Sequence, residues 1–171
     1  MEKLCLESVQ VPWKISASDE IETFRADGGA LEFSLIADLI NDRSKNIVPS
    51  QSTDMDIFDG IDIVLLSLTF QQVQYLEFSK PRLKVFGLDP AKYDLPPIDY
   101  GDRTAFFGKW FSQQLCPASG LFLVKNSDVK ERLHIQDTAM SHYLMTGHDE
   151  IVNIVAASFT WRVVEKLNHS L

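Results

Sequence analysis

The sequence predicts an α+β domain made mostly of antiparallel sheet, arranged as a sandwich or half-barrel, with one to three short helices. The clearest strand is the apolar run at 61–70, which alternates between two largely apolar faces and is bounded by Gly60 and Pro81. A polar turn at 147–150 between two β-rich stretches predicts a hairpin. The chain has 171 residues, of which 45% are hydrophobic, and can bury a core of its own. We therefore expect a single domain over 1–171.

The first part of the chain contains two candidate strands and one polar connection. Residues 4–13 partly alternate and include a proline near the end, which is typical of an edge strand or a strand end. The Asp-Gly-Gly sequence at 27–29 predicts a turn. Residues 31–41 after it fit either a strand or a helix, and their alternating apolar face favours the strand. Residues 44–60 are rich in Ser, Thr and Asp, so we expect a loop there.

The middle of the chain continues with a second strand at 73–78, which shows the pattern of a half-buried strand. Gln71 and Gln72 are poor residues for a tight hairpin, so a bulge or a wider bend is expected before this strand. Three prolines in 88–103 predict a long surface loop. The aromatic-rich stretch 105–115 fits either a short helix or a short strand.

A further strand at 120–127 precedes a short helix at 128–134, for which Ser127 is a suitable N-cap residue. Asp128 falls near the positive end of the helix dipole and His134 near its negative end. Both placements favour the helix.

Two histidines, an aspartate and a glutamate fall close together in SHYLMTGHDEIVNIVAASFTW, at 141–161. To bind a metal, His142 and His148 must each lie within about 2 Å of the same ion. A strand would separate the two residues by roughly 20 Å, and a helix would turn them about 240° apart. The stretch therefore predicts a hairpin rather than a metal site, and a helix from Asp149 onward is the rival interpretation.

The sequence contains none of the common catalytic motifs: it has no GxSxG, no P-loop, no GxGxxG and no HExxH. A Ser/His/Asp triad has no fixed spacing, so the sequence leaves that arrangement open. Trp13, Trp110 and Trp161 fit an aromatic core better than a ligand pocket. We predict no catalytic residue, no cofactor and no metal site.

The two cysteines, Cys5 and Cys116, are far apart in the sequence and form no CxxC pair. The N-terminal residues lack an apolar stretch long enough for a secretory signal, so we expect a cytoplasmic protein. Thiols stay reduced in that compartment, which predicts two buried, unpaired thiols. No histidine or basic residue beside Cys116 would lower the pKa of its thiol.

The net charge of −8 is concentrated in one part of the chain. Residues 17–62 contain eleven acids against three bases, a balance of −8, while the remaining 13 acids and 13 bases cancel. If folding gathers these acids on one face, that face repels phosphate and attracts a basic partner. The alternative interpretation is that the acidic excess only keeps the protein soluble. The sequence has no basic patch for nucleic acid, and no apolar run of about 18 residues that would span a membrane.

Three stretches of the sequence resemble parts of small bacterial proteins. They are FDGIDIVLLSLTFQQVQYLEFSK, ASGLFLVKNSDVKERL and HYLMTGHDEIVNIVAASFTW, and together they cover about a third of the chain. Small acidic proteins of this kind often accompany polymorphic toxins, including those of contact-dependent inhibition systems, as immunity proteins. The resemblance implies a stand-alone bacterial domain with an immunity role, and it assigns no functional residue.

The first functional hypothesis is therefore a non-enzymatic binding protein of the immunity type, which uses its acidic region to block a basic toxin such as a nuclease. The second is an enzyme or small-ligand-binding protein whose site is assembled from distant residues, and the third is a structural subunit of a larger assembly. The predicted partner-binding residues are Asp54, Asp56, Phe58, Asp59 and Asp62. The candidates for the second hypothesis are His134, His142, His148, Tyr93 and Tyr100.

Overall fold

The computed structural model of the protein describes residues 3–16, 23–79, 88, 91–94, 102–147 and 150–167. Within these ranges the chain forms eleven strands in two sheets, together with three short α-helices. The strands are β1 (Leu4–Ser8), β2 (Trp13–Ile15), β3 (Thr23–Asp27), β4 (Ala30–Ile40), β5 (Ile61–Gln71), β6 (Tyr75–Ser79), β7 (Tyr93–Asp94), β8 (Leu121–Val124), β9 (Ser141–Thr146), β10 (Ile151–Ala156) and β11 (Ser158–Leu167). The helices are α1 (Asp54–Asp59), α2 (Arg103–Gln113) and α3 (Val129–Arg132).

The two sheets are antiparallel throughout, apart from the short parallel pair of β1 and β7. A six-stranded sheet has the order β6-β10-β9-β8-β1-β7, and a five-stranded sheet has the order β11-β5-β4-β2, with β3 also paired to β4. The chain passes from the five-stranded to the six-stranded sheet between β5 and β6, and it returns between β10 and β11. Both crossings therefore connect the two sheets at the β6–β10 edge of the six-stranded sheet.

The main hydrophobic core lies between the sheets. Alternate residues of β5, including Leu66, Leu68 and Phe70, are fully buried against Tyr143 and Met145 of the six-stranded sheet. Alternation of this kind is expected where one face of a strand covers the core and the other lies outside. The predicted α+β class with mostly antiparallel sheet is therefore confirmed.

Several predictions about individual strands are confirmed as well. Residues 31–41 form a strand, because β4 pairs along its length with β5. The stretch 151–164 is extended, and β9 and β10 form the predicted hairpin, in which the Gly147 amide donates a 2.9 Å hydrogen bond to the Glu150 carbonyl. His148 and Asp149 lie outside the described residues.

The bend expected at Gln71 and Gln72 is present, and Gln72 has a left-handed backbone with φ 55°. The strand that follows pairs with β10 in the other sheet instead of returning along β5. A tight hairpin would have kept both strands in one sheet, so this bend is what moves the chain between the sheets.

The prediction of a loop at 44–60 is wrong. This stretch holds 3₁₀ turns at Asp42–Asn46 and Pro49–Gln51, followed by the helix α1. Thr53 caps the helix: its side chain accepts a hydrogen bond from the Asp56 amide, and the Asp56 carboxylate accepts one from the Thr53 amide at 2.8 Å. This reciprocal capping box satisfies two amides that would otherwise lack partners, which stabilises a helix start in a polar sequence.

The expected surface loop at 88–103 is only partly described, and two of its described residues are buried. Leu88 and Tyr93 are 1% and 4% exposed and pack with Leu6 and Phe122 in a second hydrophobic cluster. Tyr100 lies outside the described residues. The stretch therefore contributes apolar side chains to the fold in addition to its polar surface.

The sequence left a helix or a strand open for 105–115, and most of this stretch lies in the helix α2. At 11 residues α2 is the longest described helix. No helix among the described residues is long and apolar enough to cross a membrane. Further on, α3 begins one residue later than expected: Ser127 Oγ accepts a hydrogen bond from the Val129 amide, while Asp128 occupies the N-cap position without a side-chain bond.

The prediction for the cysteines is half right. Both thiols are free, but Cys5 is exposed on β1 and only Cys116 is buried. Burial raises the pKa of the Cys116 thiol to about 12. Cys5 lies on the exposed face of β1. Cysteine is usually a buried residue type, so the prediction that Cys5 is buried was wrong.

Candidate functional site

The helix α1 presents an unusual surface at one end of the five-stranded sheet. Ile57 points inward and packs with Ile40, Ile61 and Phe111, which fixes the helix against β4, β5 and α2. The opposite side exposes two large apolar side chains: Met55 is 65% exposed and Phe58 is 51% exposed. Of the six residues of α1, Ile57 is buried and the others face solvent.

Carboxylates surround these two apolar side chains. Asp56 and Asp59 are both exposed on the same helix. Asp56 is held by its bonds to Thr53, whereas Asp59 has no side-chain ion pair within the described residues. We call Met55, Asp56, Phe58 and Asp59 the α1 patch.

The neighbouring carboxylates are largely compensated by bases. Three ion pairs form around the patch, from Lys45 to Asp42 at 2.7 Å, from Arg103 to Asp54 at 2.7 Å and from Lys166 to Asp62 at 2.6 Å. The uncompensated negative charge therefore lies at Asp56 and Asp59, on the α1 patch itself.

Arg103 also organises the aromatic part of the surface. Its guanidinium lies 5.2 Å from the ring centre of Phe58 and 5.5 Å from that of Phe107, while it pairs with Asp54. A cation over an aromatic face contributes roughly 0.5–1 kcal/mol at an exposed site. The contact favours this position of the Phe58 ring, half of whose surface is exposed.

The pKa values of the paired acids keep them ionised at neutral pH. The hydrogen bond and charge of Lys45 hold the pKa of Asp42 below its usual range, and the bonds from Thr53 do the same for Asp56. Burial raises the pKa of Asp62, but the hydrogen bonds from Lys166 and Asn41 outweigh it, so the pKa is lowered on balance.

An open cleft of about 400 Å³ adjoins the patch. Phe58 and Asp59 form part of its wall, and the ion pair of Asp62 with Lys166 forms another part. The cleft is also lined by Asn41, Asp42, Arg43 and Ile61.

The five predicted partner-binding residues, Asp54, Asp56, Phe58, Asp59 and Asp62, all lie in this region. Asp42 joins Asp59 and Asp62 in the wall of the cleft, whereas two other described acids of 17–62, Asp27 and Glu32, lie elsewhere. Asp27 is the last residue of β3 and pairs with Ala30 at the opposite end of β4, about 33 Å along the strand at 3.3 Å per residue. Glu32 accepts hydrogen bonds from Ser67 and Arg162 on the sheet surface. Asp19, Glu20 and Glu22 lie outside the described residues.

A second group of hydrogen-bonded polar side chains surrounds His142, which lies on β9 in the six-stranded sheet. This side chain is 4% exposed, and both ring nitrogens have partners: Nδ1 lies 2.6 Å from Ser127 Oγ, and Nε2 lies 3.1 Å from Asn153 Oδ1. The Asn153 amide in turn donates to Glu77 at 3.4 Å. Burial lowers the pKa of His142 below its usual range, so the ring is neutral at pH 7.

The two other candidates that the structure describes, His134 and Tyr93, do not converge with His142. A cleft of about 270 Å³ is lined by Ser127, Lys130, Met140 and His142, but neither His134 nor Tyr93 contributes to it. Within the described residues no group of three or more His, Cys, Asp or Glu side chains is placed to hold a metal ion. Sequence reasoning named His142 but missed Asn153 and Glu77, because only the strand register brings them to it.

Lowering the pH is expected to destabilise the protein through His142. Below about pH 6.5 the unfolded chain takes up a proton that the folded ring, with its lowered pKa, does not. The free energy of unfolding should therefore fall as the pH drops from 6.5 toward that lowered pKa. Charged groups also act on the ring: Arg132 lowers its pKa, and Asp128 and Glu77 raise it.

Urea unfolding between pH 5 and pH 7.5 measures this effect. The variant His142→Gln should lose part of the pH dependence of the wild-type protein. His134→Asn is the control, because His134 is exposed and asparagine tolerates its left-handed backbone at φ 55°. A His142→Gln variant with the wild-type slope would show that this imidazole does not titrate differently in the two states.

The α1 patch combines two exposed apolar side chains with two solvated carboxylates, a composition typical of a protein-binding surface. The His142 arrangement offers a hydroxyl bonded to an imidazole in a cleft. Comparisons of the chain with protein-family models, with curated proteins and with solved structures find no match.

Proposed function

We propose that the protein is an inhibitor of the immunity type, which blocks a basic bacterial toxin of the nuclease class by binding it through the α1 patch, without catalysis at that surface. The observation that carries this proposal is the exposure of Met55 and Phe58 between the carboxylates of Asp56 and Asp59. Binding energy at protein interfaces is concentrated in a few aromatic or apolar anchors, and complementary charge around them raises association rates.

The position of α1 is fixed by contacts on several sides, which suits a binding surface. Ile57 anchors it to the core beneath, Thr53 and Asp56 close its N-terminus, and Arg103 contacts the Phe58 ring. A surface that is ordered before binding loses less conformational entropy when the complex forms. The α1 patch therefore supports tighter binding than a flexible acidic loop would.

The lining of the cleft beside the patch has three carboxylates against two cations, those of Arg43 and Lys166, and this small excess of negative charge suits a basic side chain of the partner. A lysine or arginine entering it would meet Asp59, which has no other ion pair in the described part of the chain. The acids Asp54 and Asp62 already hold Arg103 and Lys166, so a partner would have to exchange these pairs to use them. We therefore expect Asp59 to contribute more to affinity than either of them.

Sequence-level observations support the same proposal. The chain has a net charge of −8, and residues 17–62 contain eleven of its acids against three bases. An acidic protein without a basic patch is suited to a basic protein partner and unsuited to nucleic acid.

Substitutions in the α1 patch should weaken the complex strongly. The partner is captured from the native cells with the wild-type chain, purified, and titrated against each variant by calorimetry. Phe58→Ala should weaken binding at least about 30-fold, as for an interface hot spot. Asp59→Lys should weaken it about tenfold, mainly through a slower association rate, and should flatten the salt dependence.

Glu131→Lys is the matched control, since Glu131 is exposed on α3 and that helix packs against a different cluster. It changes the net charge by the same amount as Asp59→Lys and should leave the affinity within a factor of about two. If the patch variants bind as tightly as Glu131→Lys, or if the captured partner is acidic, the proposed function is wrong.

A further inference from the structure

A continuous chain of side chains joins Ser127, His142, Asn153 and Glu77. The distances are 2.6 Å from Ser127 Oγ to His142 Nδ1, 3.1 Å from His142 Nε2 to Asn153 Oδ1, and 3.4 Å from Asn153 Nδ2 to Glu77 Oε2. The four groups come from the connection before α3 and from β9, β10 and β6, so the fold assembles them from separate parts of the sequence.

The chemistry of the partners fixes the direction of every bond in this chain. The Asn153 NH₂ group donates to a carboxyl oxygen of Glu77, which leaves the Asn153 carbonyl oxygen facing His142. That oxygen can only accept, so Nε2 carries the ring hydrogen of the neutral imidazole. Nδ1 then has a free lone pair and accepts the hydroxyl hydrogen of Ser127.

A hydroxyl that donates to an imidazole, which in turn donates to a third group, is the arrangement that activates a serine as a nucleophile. A nucleophilic hydroxyl needs a base within hydrogen-bond reach, and the base needs a third group that orients it. His142 and Asn153 meet both requirements, and the Val129 amide donates to Ser127 Oγ at 3.1 Å and fixes its position. A serine that served only as a helix cap would need the Val129 bond but not the imidazole.

The serine and the imidazole share a cleft of about 270 Å³. That volume is at the small end of ligand sites in proteins. Lys130 lies in the same cleft, where its ammonium donates to the Met140 carbonyl at 2.9 Å and has no ion pair within the described residues. Lys125 also lines the cleft, but its charge is matched by Glu7 at 2.6 Å. One uncompensated positive charge is therefore available to a bound anion.

We propose that Ser127 and His142 form a second, enzymatic site, which hydrolyses small carboxylic esters that carry an acidic group. Ser127 is the nucleophile, His142 the general base, and Lys130 the group that binds the acidic part of the substrate. The site shares no residue with the α1 patch, so it goes beyond the binding role proposed above.

The reaction consumes one ester and one water. Ser127 Oγ attacks the acyl carbon while its proton moves to His142 Nδ1, and the bond between the acyl carbon and the alcohol oxygen then breaks. The leaving oxygen takes the proton from His142 and departs as the alcohol. Water then attacks the acyl-Ser127 ester, gives a proton to His142, and releases the carboxylic acid as that proton returns to Ser127 Oγ.

Labelling with a fluorophosphonate probe tests the nucleophile. The wild-type protein should form a covalent adduct, and peptide mass spectrometry should place it on Ser127. Ser127→Ala should abolish the adduct, whereas Ser112→Ala should keep it, because Ser112 is an exposed serine whose hydroxyl bonds to a backbone carbonyl on α2. The mass spectrum of the wild-type protein is informative even if Ser127→Ala folds poorly.

Ester hydrolysis tests the base and the substrate class. The wild-type protein should hydrolyse 4-acetoxybenzoate with a higher kcat/KM than neutral phenyl acetate, and Lys130→Met should lower the ratio of the two values about tenfold. His142→Gln should lower kcat for both esters by at least about 100-fold. A folded Phe58→Ala variant should retain the activity, which separates this site from the α1 patch.

The absence of an adduct on Ser127 in the wild-type protein would overturn the proposal, as would an adduct on another residue. Hydrolysis that persists unchanged in His142→Gln would overturn it as well. In those cases the chain of bonds from Ser127 to Glu77 would serve only to join α3 to the six-stranded sheet.

Discussion

Replacing Phe70 by alanine is expected to lower the free energy of unfolding by about 3–5 kcal/mol. Phe70 is fully buried on β5, and its ring centre lies 6.0 Å from Phe33, 5.3 Å from Tyr143 and 6.0 Å from Phe159. These partners belong to both sheets and to the edge strand β11. Alanine would leave a cavity where the two sheets meet, and the surrounding strands are held in register and cannot collapse into it.

Phe58→Ala provides the matched control, because it is the same substitution at a ring that is 51% exposed. It should cost less than about 1 kcal/mol, mainly through loss of the contact with Arg103. Urea unfolding at pH 7 measures both variants. For a domain of this size the loss at Phe70 corresponds to a decrease in Tm of roughly 10 °C. Similar losses at the two positions would show that Phe70 is not at the centre of the core.

The strands were predictable because their side chains alternate. The pattern at 61–70 predicted a strand, and β5 forms between β4 and β11. Its two apolar faces predicted cover on both sides, but Ile63, Leu65 and Thr69 on the outer face are only half-buried. Residues 31–41 could not be decided from their own pattern, since strand and helix both gave an apolar face. Pairing with β5, which is distant in sequence, stabilises the extended form there.

The helix α1 was missed because its stability comes from outside its own sequence. Six residues are too few for an isolated helix in water. The signal that could have indicated it is the spacing of Thr53 and Asp56, which matches a capping box. The apolar support beneath it comes from α2, through Trp110 and Phe111, and local composition cannot show that contact.

The candidate site was predictable in its residues but not in its charge balance. Sequence placed five site residues in one short run, and the structure keeps them at one end of the sheet. The bases that neutralise Asp54 and Asp62, namely Arg103 and Lys166, are distant in sequence, so a count over 17–62 overstates the free charge. Composition gives the total charge of a segment, whereas only contacts give the part that remains available to a partner.

Gly60→Ala is expected to destabilise the protein by about 1–3 kcal/mol, because the added methyl group has no space. Gly60 is buried at the end of α1, and a Cβ there would lie 2.8 Å from Ile47 Cδ1, 3.2 Å from Phe111 Cζ and 3.2 Å from Ser44 Cα. The Ile47 side chain can turn away, but the Ser44 backbone can yield only if its 3₁₀ turn shifts. The shift would move α1 and with it Phe58, so partner affinity should fall together with stability.

Gly108→Ala is the control for this substitution, since a Cβ at Gly108 meets nothing within 4 Å and its backbone is already helical. Alanine inside a helix should raise the free energy of unfolding by about 0.5–1 kcal/mol. The two glycine variants should therefore shift the urea midpoint in opposite directions. A Gly60→Ala variant that is as stable as Gly108→Ala would mean that α1 is not packed tightly against α2 and the 3₁₀ turn, and the ordered surface on which the binding proposal depends would be lost with it.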